Sequence, residues 1–343
     1  MSLRIGPKDL DSGVFVVAEI GGNHTGDFDA AKRLLEAAAR SGADAAKFQI
    51  FRADKLVRSD LPALPHVRKR WALQIDRFRS LEFPPEGYRE LAELARRLGI
   101  LFMASAFDEE SADLVDGLSP AFKVASGDLT HLPLLRHLAA KGKPVILSTG
   151  MAEEGEIEAA LAALAGCPVV LLHCVSRYPT PPEQANLRSI PWLKERFHLP
   201  VGYSDHTIGA LMSVAAAALG ARMIEKHFTL DKAQEFGDHR LSLEPAEFKA
   251  MVEQIRLVEK GLGQDGKPVG SEEKALRHAM RRGLVARREI PSGAAVCAEM
   301  VSVLRPCEGI PPSELDSVIG RRARRTIAAG EPLSWDSLGG DPR

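Results

Sequence analysis

The sequence is poor in cysteine and has none of the cysteine patterns that mark metal-binding or disulfide-rich proteins. Its four cysteines are Cys167, Cys174, Cys297 and Cys307, and no two of them form a C-x-x-C pair. A chain of 343 residues can bury a large apolar core and does not need a disulfide framework. We therefore expect free thiols and a reducing, cytoplasmic location.

The sequence also lacks an excess of charge of either sign. Its 45 Lys and Arg residues nearly balance 46 Asp and Glu residues, which leaves a formal net charge of −1. Because a nucleic-acid-binding surface usually requires a basic excess, no nucleic-acid partner is expected. Apolar residues make up 45% of the chain and charged residues 27%, which is a globular composition rather than a disordered one.

Long apolar runs are missing as well. Residues Met1 to Ser12 contain no apolar stretch of the kind found in a signal peptide. The most apolar segment, Ile208 to Ile224, includes Arg222 and two glycines, and it falls short of the ~20 apolar residues that a membrane-spanning helix requires. We expect a cytoplasmic protein with no membrane segment.

What the chain does have, from residue 14 to residue 261, is a regular alternation of β-rich runs and helical segments. Such alternation predicts βαβ units and a parallel sheet, and eight units within this length favour a closed (β/α)8 TIM barrel. The β-rich runs are Val14–Ile20, Ala45–Ile50, Ile100–Ser105, Ala121–Ser126, Pro144–Thr149, Pro168–Val175, Pro200–Ser204 and Ala221–Phe228. The helical segments are Asp29–Ser41, Pro85–Leu98, Glu109–Asp116, Leu132–Ala140, Glu153–Ala165, Ile190–Phe197, Ala210–Leu219 and Glu244–Gly261.

The rhythm changes after the barrel region. The stretch from Gln264 to Glu273 is rich in Gly, Pro and charge, which indicates a linker. We assign residues 1–263 to the barrel, 264–280 to the linker and 281–343 to a small β-rich domain. Strand-like runs in that domain are Leu284–Ala286, Ala295–Val296, Val301–Leu304 and Thr326–Ile327.

Polar residues stand at the end of every predicted barrel strand. In a TIM barrel the carboxyl ends of the strands carry the active site, so these side chains are expected to converge. They are Glu19, Asn23 and His24; Lys47 and Gln49; Ser105 and Asp108; Lys123, Ser126 and Asp128; Ser148 and Thr149; His173, Ser176 and Tyr178; Tyr203, Ser204, Asp205 and His206; Glu225, Lys226 and His227; and Asp238 with His239 in the following loop.

This set of side chains has a distinct chemical character. Two lysines and four serines (Lys47, Lys123, Ser105, Ser126, Ser148 and Ser204) supply the donors that a phosphate or carboxylate requires. His206 and His227 can ligate a divalent ion, with Asp238 as a further or water-mediated ligand. Glu19 and Asp128 supply acids for proton transfer. An anionic substrate beside a Lewis-acid metal fits carbon–carbon bond formation with a phosphorylated or carboxylated donor.

The strand-end motifs together resemble the sialic acid synthase family. The matching strings are AEIGGNHTG (18–26), KFQIF (47–51), SAFD (105–108), FKVASGD (122–128), STGM (148–151), HCVSRYPTP (173–181), YSDHTIG (203–209) and EKHFTL (225–230). In the last domain, RRGLVARREIPSGA (281–294) and LRPCEGI (304–310) resemble the antifreeze-like, or SAF, domain with which these enzymes end.

The resemblance implies a metal-dependent condensation of phosphoenolpyruvate with an N-acyl hexosamine, such as N-acetylmannosamine, to give a nonulosonic acid and phosphate by C–O cleavage. It implies Mn²⁺ as the metal, with Mg²⁺ or Co²⁺ as alternatives. Legionaminic and pseudaminic acid synthases share the architecture, so a modified amino sugar stays an alternative acceptor. More distant alternatives are a metal-dependent barrel hydrolase and a non-catalytic carbohydrate-binding protein.

By motif position, the resemblance also implies roles for single residues. The catalytic set is Glu19, Asp238, His206 and His227, of which His206 and His227 ligate the metal and Asp238 reaches it through water. The phosphoenolpyruvate-binding set is Lys47, Ser105, Lys123, Ser126, Ser148 and Ser204. The sugar-binding set is Asn23, Gln49, Asp128, Tyr178 and Arg305, with Arg305 coming from the partner chain of a domain-swapped homodimer. Cys307, and Glu235 to Gly237 before Asp238, depart from the strings common in the family.

Overall fold

Eight parallel strands close into a barrel, which confirms the predicted α/β fold class. The chain is a computed structural model in which residues 3–64 and 67–339 are described. A short antiparallel hairpin of β1 (Arg4–Ile5) and β2 (Lys8–Asp9) precedes the barrel. The barrel strands are β3 (Phe15–Glu19), β4 (Ala45–Ile50), β5 (Leu101–Ala106), β6 (Phe122–Val124), β7 (Val145–Ser148), β8 (Val169–Cys174), β9 (Val201–Asp205) and β10 (Met223–His227). They follow one another around the barrel in chain order, and β10 pairs with β3 to close it.

Helices alternate with these strands close to where the periodicity predicts them. The helices of the barrel unit are α1 (Phe28–Arg40), α2 (Ala53–Leu56), α3 (Gln74–Arg79), α4 (Pro85–Leu98), α5 (Glu109–Leu118), α6 (Leu132–Ala140), α7 (Glu154–Ala163), α8 (Ser189–Phe197), α9 (Leu211–Ala218) and α10 (Pro245–Leu262). Helices α2 and α3, in the long connection between β4 and α4, have no counterpart in the prediction. Both are short, so neither shows the repeated apolar spacing by which a helix is recognised in a sequence.

Local signals in the sequence set the ends of the helices. Asp27 is the N-cap of α1, and its carboxylate accepts hydrogen bonds from the backbone N–H groups of Asp29 and Ala30 at 2.8 and 3.1 Å. Gly99 ends α4 at φ 72°, a left-handed conformation that glycine adopts without a steric penalty. The chain then turns directly into β5.

The interior of the barrel is apolar at one end and polar at the other. Side chains alternate along a strand, so Phe15 and Val17 point to the same interior as Glu19. Together with Met103, Ile146, Val170, Leu172 and Met223 they form a fully buried cluster. A larger apolar layer lies between the strands and the helices. The apolar floor therefore lies at the amino ends of the strands, and polar side chains occupy the carboxyl ends.

A second unit begins at Gln264. Its elements are α11 (Ser271–Met280), β11 (Gly283–Ala286), β12 (Val301–Leu304), α12 (Leu315–Val318), β13 (Arg322–Ala323) and β14 (Leu338–Gly339). The predicted linker contains the helix α11, none of whose residues is buried. The predicted strands at Ala295–Val296 and Thr326–Ile327 are reduced to single bridges, in which Ala295 pairs with Arg322 and Ile327 with Ile290. Apolar side chains from these short pieces share one buried cluster.

Within residues 3–64 and 67–339, no helix combines the length and the apolar character that crossing a membrane would require.

A substitution of Gly202 would test how tightly the barrel interior is packed. A Cβ atom at this position would lie 2.5 Å from the backbone oxygen of Met223 and 2.6 Å from a methyl group of Leu172. Gly202→Ala is therefore expected to lower the free energy of unfolding by about 1–3 kcal/mol in denaturant titrations. Gly117→Ala is the matched control, because a Cβ atom there meets nothing within 4 Å in helix α5. The control should raise stability by about 0.5–1 kcal/mol, and equal effects of both changes would contradict the packing described.

Candidate active site

The carboxyl ends of the barrel strands surround a cavity of about 290 Å³. Twelve of the fifteen predicted site residues line it: Glu19, Lys47, Gln49, Ser105, Lys123, Ser126, Ser148, Tyr178, Ser204, His206, His227 and Asp238. Leu64, Arg77, Ala125, Cys174 and Glu225 complete the lining. The polar strand ends thus converge on one place, as their position in the barrel predicts.

Two lysines and two glutamates form a buried charge cluster at the base of this cavity. Lys47 Nζ lies 2.7 Å from Glu19 Oε2 and 3.6 Å from Glu225 Oε2, and Lys123 Nζ lies 4.0 Å from Glu225 Oε1. All four side chains are at most 7% exposed. Since charges this deeply buried must be paired, each lysine has a carboxylate neighbour.

Serine hydroxyls extend the cluster on three strands. Lys47 Nζ donates to Ser105 Oγ at 3.1 Å, and Lys123 Nζ donates to Ser148 Oγ at 2.7 Å. Ser204 Oγ donates to Glu225 Oε1 at 2.9 Å. Ammonium groups and hydroxyls thus share one surface, and that combination binds phosphate and carboxylate oxygens.

Glu225 is a site residue that the residue-by-residue predictions left without a role. The signal was present in the sequence, because Glu225 and His227 are two residues apart on one strand and so face the same side. Lys226 lies between them and faces the opposite side. Arg77 was missed because it belongs to the unpredicted helix α3.

The two glutamates of the cluster differ in their acidity. Burial raises the pKa of Glu19 to about 7, an effect that the Lys47 charge opposes and the Glu225 charge adds to. Burial also acts to raise the pKa of Glu225, but the charges of Lys123 and Lys47 outweigh it and lower this pKa to about 2. Near neutral pH, Glu225 is therefore ionised, and Glu19 can either hold or release a proton.

Two histidines stand above the charge cluster. Their ring centroids are 5.4 Å apart, and the Tyr178 ring lies 4.2 Å from that of His206. Burial, followed by the neighbouring charge of His227, lowers the pKa of His206 to about 4. Burial, followed by the charge of Lys47, lowers the pKa of His227 to about 3. Both imidazoles are neutral at pH 7, which is the form that ligates metals.

The free ring nitrogens fit a metal ligand role. His206 Nδ1 donates to the carbonyl oxygen of Val175 at 3.0 Å, which leaves Nε2 as the nitrogen with a lone pair. His227 Nδ1 is buried without a hydrogen-bond partner among the described residues, and it lies 3.9 Å from Asp238 Oδ2. In the described part of the chain, no group of three or more His, Cys, Asp or Glu side chains could hold an ion. The two imidazoles are therefore candidate ligands.

Gly150 keeps the wall of the cavity open beside Ser126. Its N–H donates to Ser126 Oγ at 3.1 Å, and the same hydroxyl shares a hydrogen bond with Cys174 Sγ at 3.0 Å. A Cβ atom on Gly150 would lie 2.4 Å from Ser176 Oγ and 2.8 Å from both Cys174 Sγ and Ser126 Oγ. Only glycine fits at this close approach.

Three predicted sugar-binding residues do not line the cavity. Asn23 is buried, and its amide holds the loop that carries Asp238. Its Oδ1 accepts from Asp238 N at 2.9 Å, and its Nδ2 donates to Phe228 O and Ser242 Oγ, both at 2.9 Å. These bonds use the amide of Asn23 to position the loop, and its predicted contact with the sugar stays a prediction.

Asp128 and Arg305 are the other two. Asp128 lies in a single helical turn after β6, outside the cavity lining, and burial raises its pKa to about 6. Arg305 lies in the second unit directly after β12, with an exposed side chain. Its predicted contact is with a partner chain and stays a prediction.

Comparison with known proteins identifies the family. The NeuB family model matches residues 34–267, and the SAF domain model matches residues 281–339. The chain belongs to the NeuB family. This membership confirms the resemblance seen in the strand-end motifs, and the second match confirms the antifreeze-like character of the last domain.

Several relatives of this chain are named synthases. The N,N'-diacetyllegionaminic acid synthase of Legionella pneumophila is 39% identical, and the match covers 97% of each chain. The human N-acetylneuraminate-9-phosphate synthase is 37% identical over 93% of this chain and 91% of its own. The crystal structure of N-acetylneuraminic acid synthetase from Leptospira borgpetersenii, in complex with citrate, matches with a TM-score of 0.72 and 32% identity over 80% of this chain and 94% of that chain. This chain is an enzyme of the same synthase type.

The raised pKa of Glu19 predicts how stability depends on pH. The folded state holds a proton on Glu19 up to about pH 7, whereas the unfolded state releases it near the ordinary value of 4.5. The contribution of Glu19 to stability is therefore complete below pH 4.5 and is lost as the pH rises to about 7. Glu19→Gln removes this loss. The difference in melting temperature between Glu19→Gln and the wild type should grow from pH 4.5 to 7 in favour of the variant.

Glu93→Gln is the control for this comparison, because Glu93 is an exposed carboxylate on helix α4. Its melting temperature should show no such rise relative to the wild type over the same pH range. A constant difference between Glu19→Gln and the wild type would mean that Glu19 has an ordinary pKa.

Proposed function

We propose that this NeuB protein condenses phosphoenolpyruvate with an N-acyl amino sugar and water to form a nonulosonic acid and phosphate. The observation that carries the proposal is the meeting of Lys47, Lys123 and the serine hydroxyls with a pair of neutral histidines in one cavity. The lysines and serines are suited to binding an anionic substrate, and the histidines are suited to binding a metal that activates a carbonyl group.

The donor substrate would bind at the base of the cavity. Lys123, Ser148, Ser126 and Ser204 would contact the phosphate, and Lys47 with Ser105 would contact the carboxylate. Ser204 would turn its hydroxyl hydrogen from Glu225 to the ligand. Before the donor binds, the buried glutamates offset part of the charge of the two lysines. Binding of a multiply charged anion would favour the protonated form of Glu19, which has the higher pKa of the two acids.

His206 and His227 would hold a divalent ion, with Asp238 reaching it through water. We propose Mn²⁺, with Mg²⁺ or Co²⁺ as alternatives, because neutral imidazoles and a carboxylate suit borderline and hard divalent ions. When bound, such an ion polarises the carbonyl oxygen of the open-chain sugar.

Carbon–carbon bond formation would then proceed between the two bound substrates. The C3 atom of enolpyruvate attacks the sugar aldehyde, and the aldehyde oxygen takes up a proton. Water adds at C2 and loses a proton, and phosphate leaves with the bridging oxygen. Glu19, whose pKa is raised to about 7, is suited to hold or move one of these protons.

The acceptor is an N-acyl hexosamine such as N-acetylmannosamine, or the diacetylated or phosphorylated sugar of a related synthase. The Legionella relative, which is named a diacetyllegionaminic acid synthase, supports a diacetylated acceptor, since the two chains match over 97% of their lengths. The human relative is named for a phosphorylated product. Arg77 and Leu64 line the cavity and, because they lie outside the shared strand-end motifs, are the side chains to test for this choice.

The proposed reaction is tested by incubation with phosphoenolpyruvate, Mn²⁺ and a panel of N-acyl hexosamines. Phosphate release and the product mass are measured. We expect one sugar to release phosphate, and His206→Ala and Lys123→Ala each to reduce kcat/KM by at least about 100-fold. His137→Ala is the control, because His137 lies on helix α6, pairs with Asp113 and is remote from the cavity lining. Hydrolysis of substrates without phosphoenolpyruvate would instead indicate a barrel hydrolase, and sugar binding without turnover a carbohydrate-binding protein.

We also propose that the active form is a homodimer in which Arg305 of each chain serves the partner's site. The mouth of the barrel supports a covering partner, because the apolar side chains of Met151, Ile208 and Leu211 are exposed after β7 and β9. An arginine from the partner would donate paired hydrogen bonds to the acyl oxygen of the sugar and exclude water.

Shared sites predict complementation between two inactive variants. Arg305→Ala and His206→Ala should each have low activity, and mixing them under conditions of subunit exchange should restore about a quarter of the wild-type rate. One half of the dimers would then be mixed, and each mixed dimer would have one complete site. No recovery in mixtures that exchange subunits, as followed by native mass spectrometry, would rule out sharing.

A further inference from the structure

A second buried ion pair lies directly behind the two histidines. Asp205 and Lys226 are both 0% exposed, and Lys226 Nζ lies 3.1 Å from Asp205 Oδ2. Asp205 is the last residue of β9, and Lys226 is the residue opposite it on β10. Neither residue lines the cavity.

Strand alternation explains why the pair faces away from the cavity. Ser204 and His206, on either side of Asp205, both line the cavity, and so do Glu225 and His227 on either side of Lys226. The side chains of Asp205 and Lys226 therefore point toward the helical layer. Each charged residue is the direct chain neighbour of one of the two histidines.

The carboxylate of Asp205 is fully engaged. Its Oδ1 accepts from the backbone N–H of Thr207 at 2.8 Å and from Thr207 Oγ1 at 2.7 Å. Its Oδ2 accepts from Ser213 Oγ of helix α9 at 2.6 Å. Lys226 Nζ donates in addition to the backbone oxygen of Thr207. The network thus joins β9, β10 and α9 around the backbone on both sides of His206.

The backbone of His206 is also held from a third direction. Thr180 N donates to His206 O at 2.9 Å, in the segment that follows β8. With Asp205 before it and Thr207 after it locked to one carboxylate, His206 has little freedom to rotate its backbone. His227 is held by strand pairing: it lies opposite Glu19 of β3, and its neighbour Lys226 lies opposite Asp205 of β9.

We propose that the Asp205–Lys226 pair is a positioning device that sets the distance between the two imidazoles, so that one divalent ion can contact both. The proposal rests on the metal site proposed above. Taking two charges out of water is costly, and an apolar pair of the same size would pack the barrel at least as well. A charged pair with four donors on one carboxylate instead fixes the register and rotation of the two strand ends, in the way that outer-shell groups orient metal ligands.

The experiment compares Mn²⁺ binding by calorimetry and the visible absorption spectrum of the Co²⁺-loaded protein between the wild type and the double variant Asp205→Asn/Lys226→Met. The double variant removes both charges together, so that no unpaired buried ion remains. We expect its Mn²⁺ affinity to fall at least about 10-fold and its Co²⁺ spectrum to change, with a thermal unfolding transition close to that of the wild type.

A matched control is available at the other end of the barrel. Asp44 precedes β4, and its Oδ2 lies 2.6 Å from Lys8 Nζ and 3.0 Å from Arg256 Nη2. Asp44→Asn breaks an ion-paired network of the same barrel far from the histidines, and it should leave Mn²⁺ affinity unchanged. Ser213→Ala is a milder second variant in case the double variant fails to fold. It removes one hydrogen bond to Asp205 and should weaken Mn²⁺ binding a few-fold.

The outcomes separate the two proposals. If the wild type binds no Mn²⁺ or Co²⁺, the proposed metal site is wrong, and this inference falls with it. If the wild type binds Mn²⁺ and both the double variant and Ser213→Ala bind it equally tightly, the metal site stands and the positioning role is wrong. An equal loss of affinity in Asp44→Asn would likewise contradict the positioning role. The loss would then come from a general drop in the stability of the barrel and not from the position of the ion pair beside the histidines.

Discussion

The burial of two ammonium groups inside the barrel is the constraint on which the rest of this site depends. The side chains of Lys47 and Lys123 are only 3% exposed, so carboxylates and hydroxyls must surround them when no anion is bound. Glu225 remains ionised to satisfy that demand, and Glu19, the weaker acid, is left with a mobile proton. One electrostatic requirement thus produces both the anion-binding surface and a group suited to proton transfer.

The alternation of side chains along each strand decides which residues take part in the site. Within one strand, alternate residues face the cavity and the helical layer, so Glu225 and His227 take part in the site while Lys226 supports it from behind. Along the strand direction, the apolar floor formed by residues such as Phe15 and Met103 keeps water out from below. The site therefore has a dry base and a polar mouth.

The strand and helix pattern, and most of the lining, could be predicted because each depends on local rules of periodicity and strand polarity. Glu225 followed the same rules, although no role was assigned to it. Asn23 could not be placed from sequence, because its partners Phe228, Asp238 and Ser242 lie more than 200 residues away along the chain. Arg77 could not be predicted for a different reason, because its helix is too short to show a repeated spacing of apolar residues. The helix α11 formed where Gly, Pro and charge suggested an irregular linker.

Asn23 also has a consequence for how the protein can change over evolutionary time. It ties the end of the first barrel strand to the loop after the last one, so the two ends of the barrel unit share one seam. Insertions that alter substrate choice are tolerated least at this seam, because lengthening either loop would separate the amide from its partners. The long connection between β4 and α4, which brings Leu64 and Arg77 to the cavity, meets the loop after β10 through the rings of Trp71 and Phe236, whose centroids are 5.6 Å apart, and takes no part in the hydrogen bonds of the Asn23 amide. New specificities are therefore expected to arise in that connection first, while the seam stays the same.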